Sequence, residues 1–167
     1  KGEISMCQFI SFHHRPDNGD IAVSVLDSHA DTEKNLSLDL KLWREGHYLP
    51  DGNIECRVAS DDRVTQEECN IRLKKRFPTF VKFFNWCMKE TGQEEAFSGS
   101  LNLRGLTSAK GLVLPKSIGG WLNLRGLTSA KGLVLPKSIG GWLNLRGLTS
   151  AKKAQVTKGI KVLGKIY

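Results

Sequence analysis

The chain has 167 residues, 40% of them hydrophobic, with a formal net charge of +8. This content is sufficient to bury a core in one ordinary domain or two small ones, and it excludes a wholly disordered chain. No apolar run approaches the roughly eighteen residues of a membrane helix, and the opening residues lack the apolar stretch of a signal peptide, so no membrane partner is expected.

In chain order, residues 7–13 (CQFISFH) and 21–26 (IAVSVL) flank Pro16-Asp17-Asn18-Gly19-Asp20. Asn-Gly suits the positive φ of a tight turn, so these segments predict a β-hairpin. A third strand is expected over residues 53–59, entered through the Pro50-Asp51-Gly52 turn. Thr65-Gln66-Glu67-Glu68 has the form of a capping box, with Thr65 as N-cap, and predicts a helix to about Arg76. Pro78 interrupts it, Thr79 can cap a second helix through Lys89, and Gly92 is the stop. Phe80, Phe83, Phe84 and Cys87 recur at helical spacing on that second helix, which marks a core face. The expectation for residues 1–98 is an acidic α+β domain, a small antiparallel sheet plus two helices.

Several residues of this domain could carry chemistry. Met6-Cys7 would place a cysteine nucleophile at the N-terminus, the basis of a cysteine-dependent hydrolase reading, but only after the five residues before Met6, and Met6 itself, were removed. His13, His14, His29 and His47, with Cys7, Cys56, Cys69 and Cys87, include no pair at zinc-site spacing. His13 and His14 also face opposite sides of a strand. Asp27, His29 and Asp31 are read as a turn or helix cap beside a strand end. No catalytic residue, metal or cofactor is expected. Without a CxxC pair, the cysteines point to reduced thiols and a cytosolic setting.

The strongest pattern follows. Residues 101–121 read LNLRGLTSAKGLVLPKSIGGW, residues 122–142 repeat all 21 letters unchanged, and LNLRGLTSAK begins again at 143–152. Such units cannot bury an apolar face alone and must stack. Alternation points Leu122 and Leu124 inward and Trp121, Asn123 and Arg125 outward. Leu127, Leu133, Leu135 and Ile139 complete the interior, while Gly126, Gly132, Gly140 and Gly141 mark corners and Pro136 a bend. Phe97-Ser98-Gly99-Ser100 stands where Ile-Gly-Gly-Trp stands later, so the end of the first domain is expected to cap the stack and dock onto it as one continuous body. Residues 150–158 suit a short helix and residues 160–167 a final strand, a C-terminal cap over 153–167.

Residues 99–152 resemble the leucine-rich-repeat family, with LxLxGL in place of LxxLxLxxN and without its ladder asparagine. They also resemble near-identical LxLxGLTSAxGLxLPxSIGG arrays of bacteriophage and mobile-element proteins. The resemblance implies a short right-handed, leucine-rich-repeat-like β-solenoid fused to the α+β domain, with either leucine-rich-repeat coils or narrow two-strand coils. MCQFISF and Asp27-Ser28-His29-Ala30-Asp31 resemble an uncharacterised phage-type domain beginning Met-Cys-x-Phe, over residues 6–62; no activity transfers from it. The phage resemblance implies the cytoplasm of a bacterial host.

Charge is divided unevenly. Residues 1–98 hold 13 Lys+Arg and 17 Asp+Glu, whereas residues 99–167 hold 12 Lys+Arg and no carboxylate, so −4 and +12 make the total of +8. Stacking aligns outward columns of Arg104, Arg125 and Arg146; Asn102, Asn123 and Asn144; Trp121 and Trp142; and Lys110, Lys131 and Lys152, with Lys116 and Lys137. Solvent and salt could simply screen these columns. The functional reading makes Arg, Trp and Asn, with Lys110 and Lys131, a face for another protein with an acidic surface, as in binding hot spots. On the phage resemblance, that partner is a host protein such as a bacterial immunity component. Nucleic acid is the alternative partner, through arginine and tryptophan, and pairing of acidic with basic halves would give a homo-oligomer.

Overall fold

The computed structural model describes residues 10–23 and 29–167. It divides into two compact units, Lys1–Phe83 and Phe84–Tyr167.

The first unit contains β1 (Ile10–His14), β2 (Ile21–Ala22), α1 (His29–Leu36), β3 (Arg44–Tyr48), β4 (Ile54–Cys56) and α2 (Gln66–Arg76). Helix α3 (Phe80–Glu90) begins in it and runs on past the division. The strands form an antiparallel sheet of order β2-β1-β3-β4, with Phe12 opposite Gly46 and His47 opposite Glu55. Residues 15–20 make the turn of the β1–β2 hairpin, with Gly19 at φ 79°. The outer parts of that predicted hairpin, residues 7–9 and 24–26, lie outside the described residues, as do Met6, Cys7 and Asp27.

Two elements of this unit escaped the sequence reading. Strand β3 reads REGHY, with no apolar alternation, and takes its place because Gly46 has no side chain: a Cβ there would run into the ring of Phe12. Helix α1 reads HADTEKNL and has little apolar content beyond its ends, so its first residues suggest only a turn or helix cap. The third predicted strand is shorter than expected, three residues at β4. Helix α2 has Thr65 as N-cap, with Thr65 Oγ1 accepting from the Glu68 amide and Glu68 accepting from the Thr65 amide at 2.7 Å. Phe12, Tyr48, Phe77, Phe80 and Phe83 are buried together, and the Tyr48 hydroxyl donates to the Phe77 carbonyl at 3.0 Å. Arg44 grips the Asp62 carboxylate with two N–H groups at 2.8 and 2.9 Å and donates to the carbonyls of Leu40, Lys41 and Trp43, which closes the loop before β3.

In the second unit each repeat contributes two strands of two residues. Strands β6 (Leu101–Asn102), β8 (Leu122–Asn123) and β10 (Leu143–Asn144) pair in parallel as one sheet. Strands β5 (Ala96–Phe97), β7 (Ser117–Ile118), β9 (Ser138–Ile139) and β11 (Lys161–Val162) form the other. Register follows the repeat, since 122 pairs with 101 and 143 with 122. Leu122, Leu124, Leu127, Leu133, Leu135 and Ile139 are all buried, as alternation requires. The paired glycines serve close approach: a Cβ on Gly140 would overlap the Gly119 carbonyl oxygen, and one on Gly126 the Arg104 carbonyl oxygen. Helix α4 (Ser150–Val156) follows Thr149, whose hydroxyl accepts from the Lys152 amide.

The expected fold class, an α+β N-terminal domain fused to a short leucine-rich-repeat-like β-solenoid, is corrected. The described residues form an α/β arrangement with four helices and three sheets, one antiparallel and two parallel. Helices interleave with strands along the chain, including the unforeseen α1 before β3. The repeats enter parallel sheets because each short strand finds hydrogen-bond partners only in the equivalent residues of the next unit. No helix among the described residues is long and apolar enough to cross a membrane.

Candidate functional site

The outer side of the β6-β8-β10 sheet carries the sequence-predicted columns. Trp121 and Trp142 lie face to face, with ring centroids 4.6 Å apart and planes 4° from parallel. Stacking follows from placing identical residues on adjacent parallel strands, about 4.8 Å apart. Asn123 and Asn144 turn back onto their own chain, each accepting from the amide two residues on, at 3.2 Å from Arg125 and 3.1 Å from Arg146. These asparagines therefore set the corner from which the arginines project. Asn102 is half-buried, and its side-chain oxygen has no hydrogen-bond partner among the described residues.

Arg104, Arg125 and Arg146 are exposed, and no carboxylate among the described residues forms an ion pair with them. Lys110 and Lys131 are also exposed but stand in the loops leaving the sheet, where their amides donate to Ser108 and Ser129 hydroxyls. The structure thus gathers Trp, Asn and Arg onto one sheet face and sets the two lysines beyond its corner.

Sequence reasoning missed Tyr167 as a member of this face. The chain after α4 returns to both sheets: Lys161 pairs with Ser138, and Ile166 bridges Leu143 in parallel. The offset is 161 − 138 = 23 residues in place of 21. Tyr167 then meets Trp142 edge-on at 6.3 Å, and the Arg146 guanidinium lies 4.9 Å from its ring centre, a cation–π distance. The broken repeat after Lys152 hid this register, although the ending KVLGKIY over residues 161–167 carried the apolar residues for it.

The first unit offers less. His13 Nε2 donates to Glu33 Oε1 at 3.0 Å, whereas His14 Nε2 donates to the Arg57 carbonyl at 2.8 Å, so the adjacent histidines do face different partners. Among the described residues no three His, Cys, Asp or Glu side chains converge as metal ligands. A cavity lined by His14, Cys56, Cys69 and Arg72 has a volume of about 20 Å³, room for about one water.

Burial pushes the Cys56 thiol up to about 12 and raises the Cys69 and Cys87 thiols as well, which leaves them protonated and unreactive near neutral pH. Iodoacetamide at pH 7.5 should therefore leave Cys56 and Cys87 unmodified in the folded chain and label them in urea, as read by peptide mass mapping. Rapid labelling of either in native buffer would contradict this burial. Burial also lowers the pKa of His14 below its ordinary 6.5, against the opposing hydrogen bond to Arg57. The unfolded chain then takes up a proton that the folded chain resists, so this contribution to stability is present above pH 6.5 and is lost as pH falls toward the folded pKa. The urea midpoint should decline as pH falls below 6.5, and His14→Gln should flatten that slope; an unchanged slope would remove His14 from the account.

No family model, curated protein or solved structure matches the chain.

Proposed function

We propose that this chain is a non-enzymatic binding protein that holds an acidic surface of another protein against the Trp/Asn/Arg face of its second unit. The stacked, half-buried Trp121–Trp142 pair carries the reading: a rigid aromatic platform beside exposed arginines supplies the residue types that dominate protein interfaces. The second unit holds 13 Lys+Arg and three carboxylates, a charge of 13 − 3 = +10, which favours an acidic partner. The likeness of the repeats to phage and mobile-element arrays extends the proposal to a host protein that is bound and blocked, such as a component of bacterial immunity. That extension rests on analogy of sequence.

Nucleic acid is the second reading, favoured by the exposed arginines beside stacked indoles. The three paired strands span only about 10 Å, a short track for a phosphate backbone. The test is affinity capture from nuclease-treated bacterial lysate with the native chain and with Arg104, Arg125 and Arg146 all changed to Glu. A defined protein retained by the native chain, lost by the variant and rebuilt from purified components supports the proposal. Capture of nucleic acid alone, lost on nuclease treatment, would replace it with the second reading.

A further inference from the structure

A different edge of the second unit carries a groove. Loops 107–116 and 128–137 stack closely: the Thr128 amide donates to the Thr107 carbonyl and the Lys137 amide to the Lys116 carbonyl at 2.8 Å. The third unit breaks this pattern, because after Lys152 the sequence reads KAQVTKGI where the others read GLVLPKSI. Those residues form α4 and the turn after it. A helix is about 10 Å across and cannot occupy a layer about 4.8 Å thick, so α4 stands off the preceding loop. The space left between them is about 580 Å³, with Leu133, Val134, Val156 and Ile160 among its walls and Lys131, Lys152 and Lys158 at its rim.

Three observations say what this groove suits. Val134 is 76% exposed against 55% for its equivalent Val113, so an apolar side chain is left open where the earlier copy is better covered. At that earlier copy α3 supplies the cover: the Asn85 side chain donates to the Gly111 carbonyl at 2.8 Å and accepts from the Val113 amide at 3.0 Å. The identical Gly132 carbonyl and Val134 amide have no such partner among the described residues. Finally, the rim lysines are exposed and make no ion pair among the described residues, and the sequence has no carboxylate after Glu95.

We propose that the groove between the 129–135 loop and α4 is a second binding site, taking an acidic amphipathic helix of a partner protein. Its apolar stripe packs on Val134, Val156 and Ile160, and its flanking carboxylates meet Lys131, Lys152 and Lys158. No aromatic ring lines the groove to stack a base. The site is separate from the Trp/Asn/Arg face and stands whether or not that face binds.

The test uses the full chain and a fluorescein-labelled helical peptide with leucines at i, i+3, i+4 and i+7 and glutamates on the flanks. Its comparators are a shuffled peptide of the same composition, a single-stranded oligonucleotide, and phosphatidylserine vesicles. The expected result is saturable binding of the amphipathic peptide at least about tenfold tighter than of the shuffled one, with methyl shifts at Val134, Val156 and Ile160. Val134→Glu, and separately Lys131→Glu with Lys152→Glu and Lys158→Glu, should each weaken it at least about tenfold; Val134 and the three lysines are exposed, so an unchanged melting temperature confirms folded variants. Equal affinity for the shuffled peptide, binding that survives both variants, binding of the oligonucleotide or vesicles only, or no saturable binding would overturn the proposal. Variants of Arg104, Arg125 and Arg146 should leave this peptide's affinity within about twofold, which separates the groove from the sheet face.

Discussion

Gly140→Ala is expected to cost about 3 kcal/mol of stability, the upper end of ordinary overpacking, and to lower the melting transition of the second unit by more than about 10 °C. The cause is backbone against backbone. A Cβ at position 140 would overlap the Gly119 carbonyl oxygen and lie 2.8 Å from the Gly119 carbonyl carbon, atoms held in place by the pairing of β7 with β9. Relief would require the layers to part along the Gly140–Ile118 hydrogen bond of 2.8 Å, which would uncover Ile118 and Ile139. Gly132→Ala is the control. Its φ of 78° is strained for alanine, yet the nearest backbone atoms are 3.6 Å from the added carbon, so about 1 kcal/mol is expected. Calorimetry of the two variants checks the difference; equal shifts would mean that close approach is not what these glycines provide.

Phe83→Ala should destabilise the first unit by about 4 kcal/mol. Phe83 is fully buried, with its ring centre 5.3 Å from Phe12, 5.2 Å from Tyr48 and 5.2 Å from Phe77. Two of these contacts are edge-to-face, a geometry that adds to simple area burial. Truncation removes a ring that touches β1, β3 and the segment after α2, leaving a hole the sheet cannot close. Amide exchange at Phe12, Gly46 and Tyr48 should accelerate strongly, whereas Ile71→Ala, at a side chain 59% exposed on α2, should change stability by less than about 0.5 kcal/mol. Unaltered exchange in Phe83→Ala would place the core of this unit elsewhere.

Much of the candidate site is legible in the amino-acid sequence alone. An exact 21-residue repeat forces equivalent residues into register, and alternation within WLNLR decides which face outward; Trp, Asn and Arg columns follow from those two facts. The capping box at Thr65 and the aromatic face of Phe80, Phe83 and Phe84 were local signals of the same kind. Local signals failed where a residue's role is set by a distant neighbour. Strand β3 depends on Phe12 filling the space over Gly46, and α1 has too few apolar residues to announce itself.

Sequence order and side-chain chemistry thus settled the repeat register, the inward leucines, the outward columns and the division of charge. Tertiary structure decided that each unit would split into two short parallel strands in separate sheets, that 23 residues would bring Tyr167 onto the tryptophan column, and that α4 would stand away from the loop before it. Periodicity is a property of neighbours along the chain. Parallel pairing, a ring meeting an indole and a groove beside a helix arise from how thick each layer is and which backbone groups still need partners, quantities that exist only once the chain has packed.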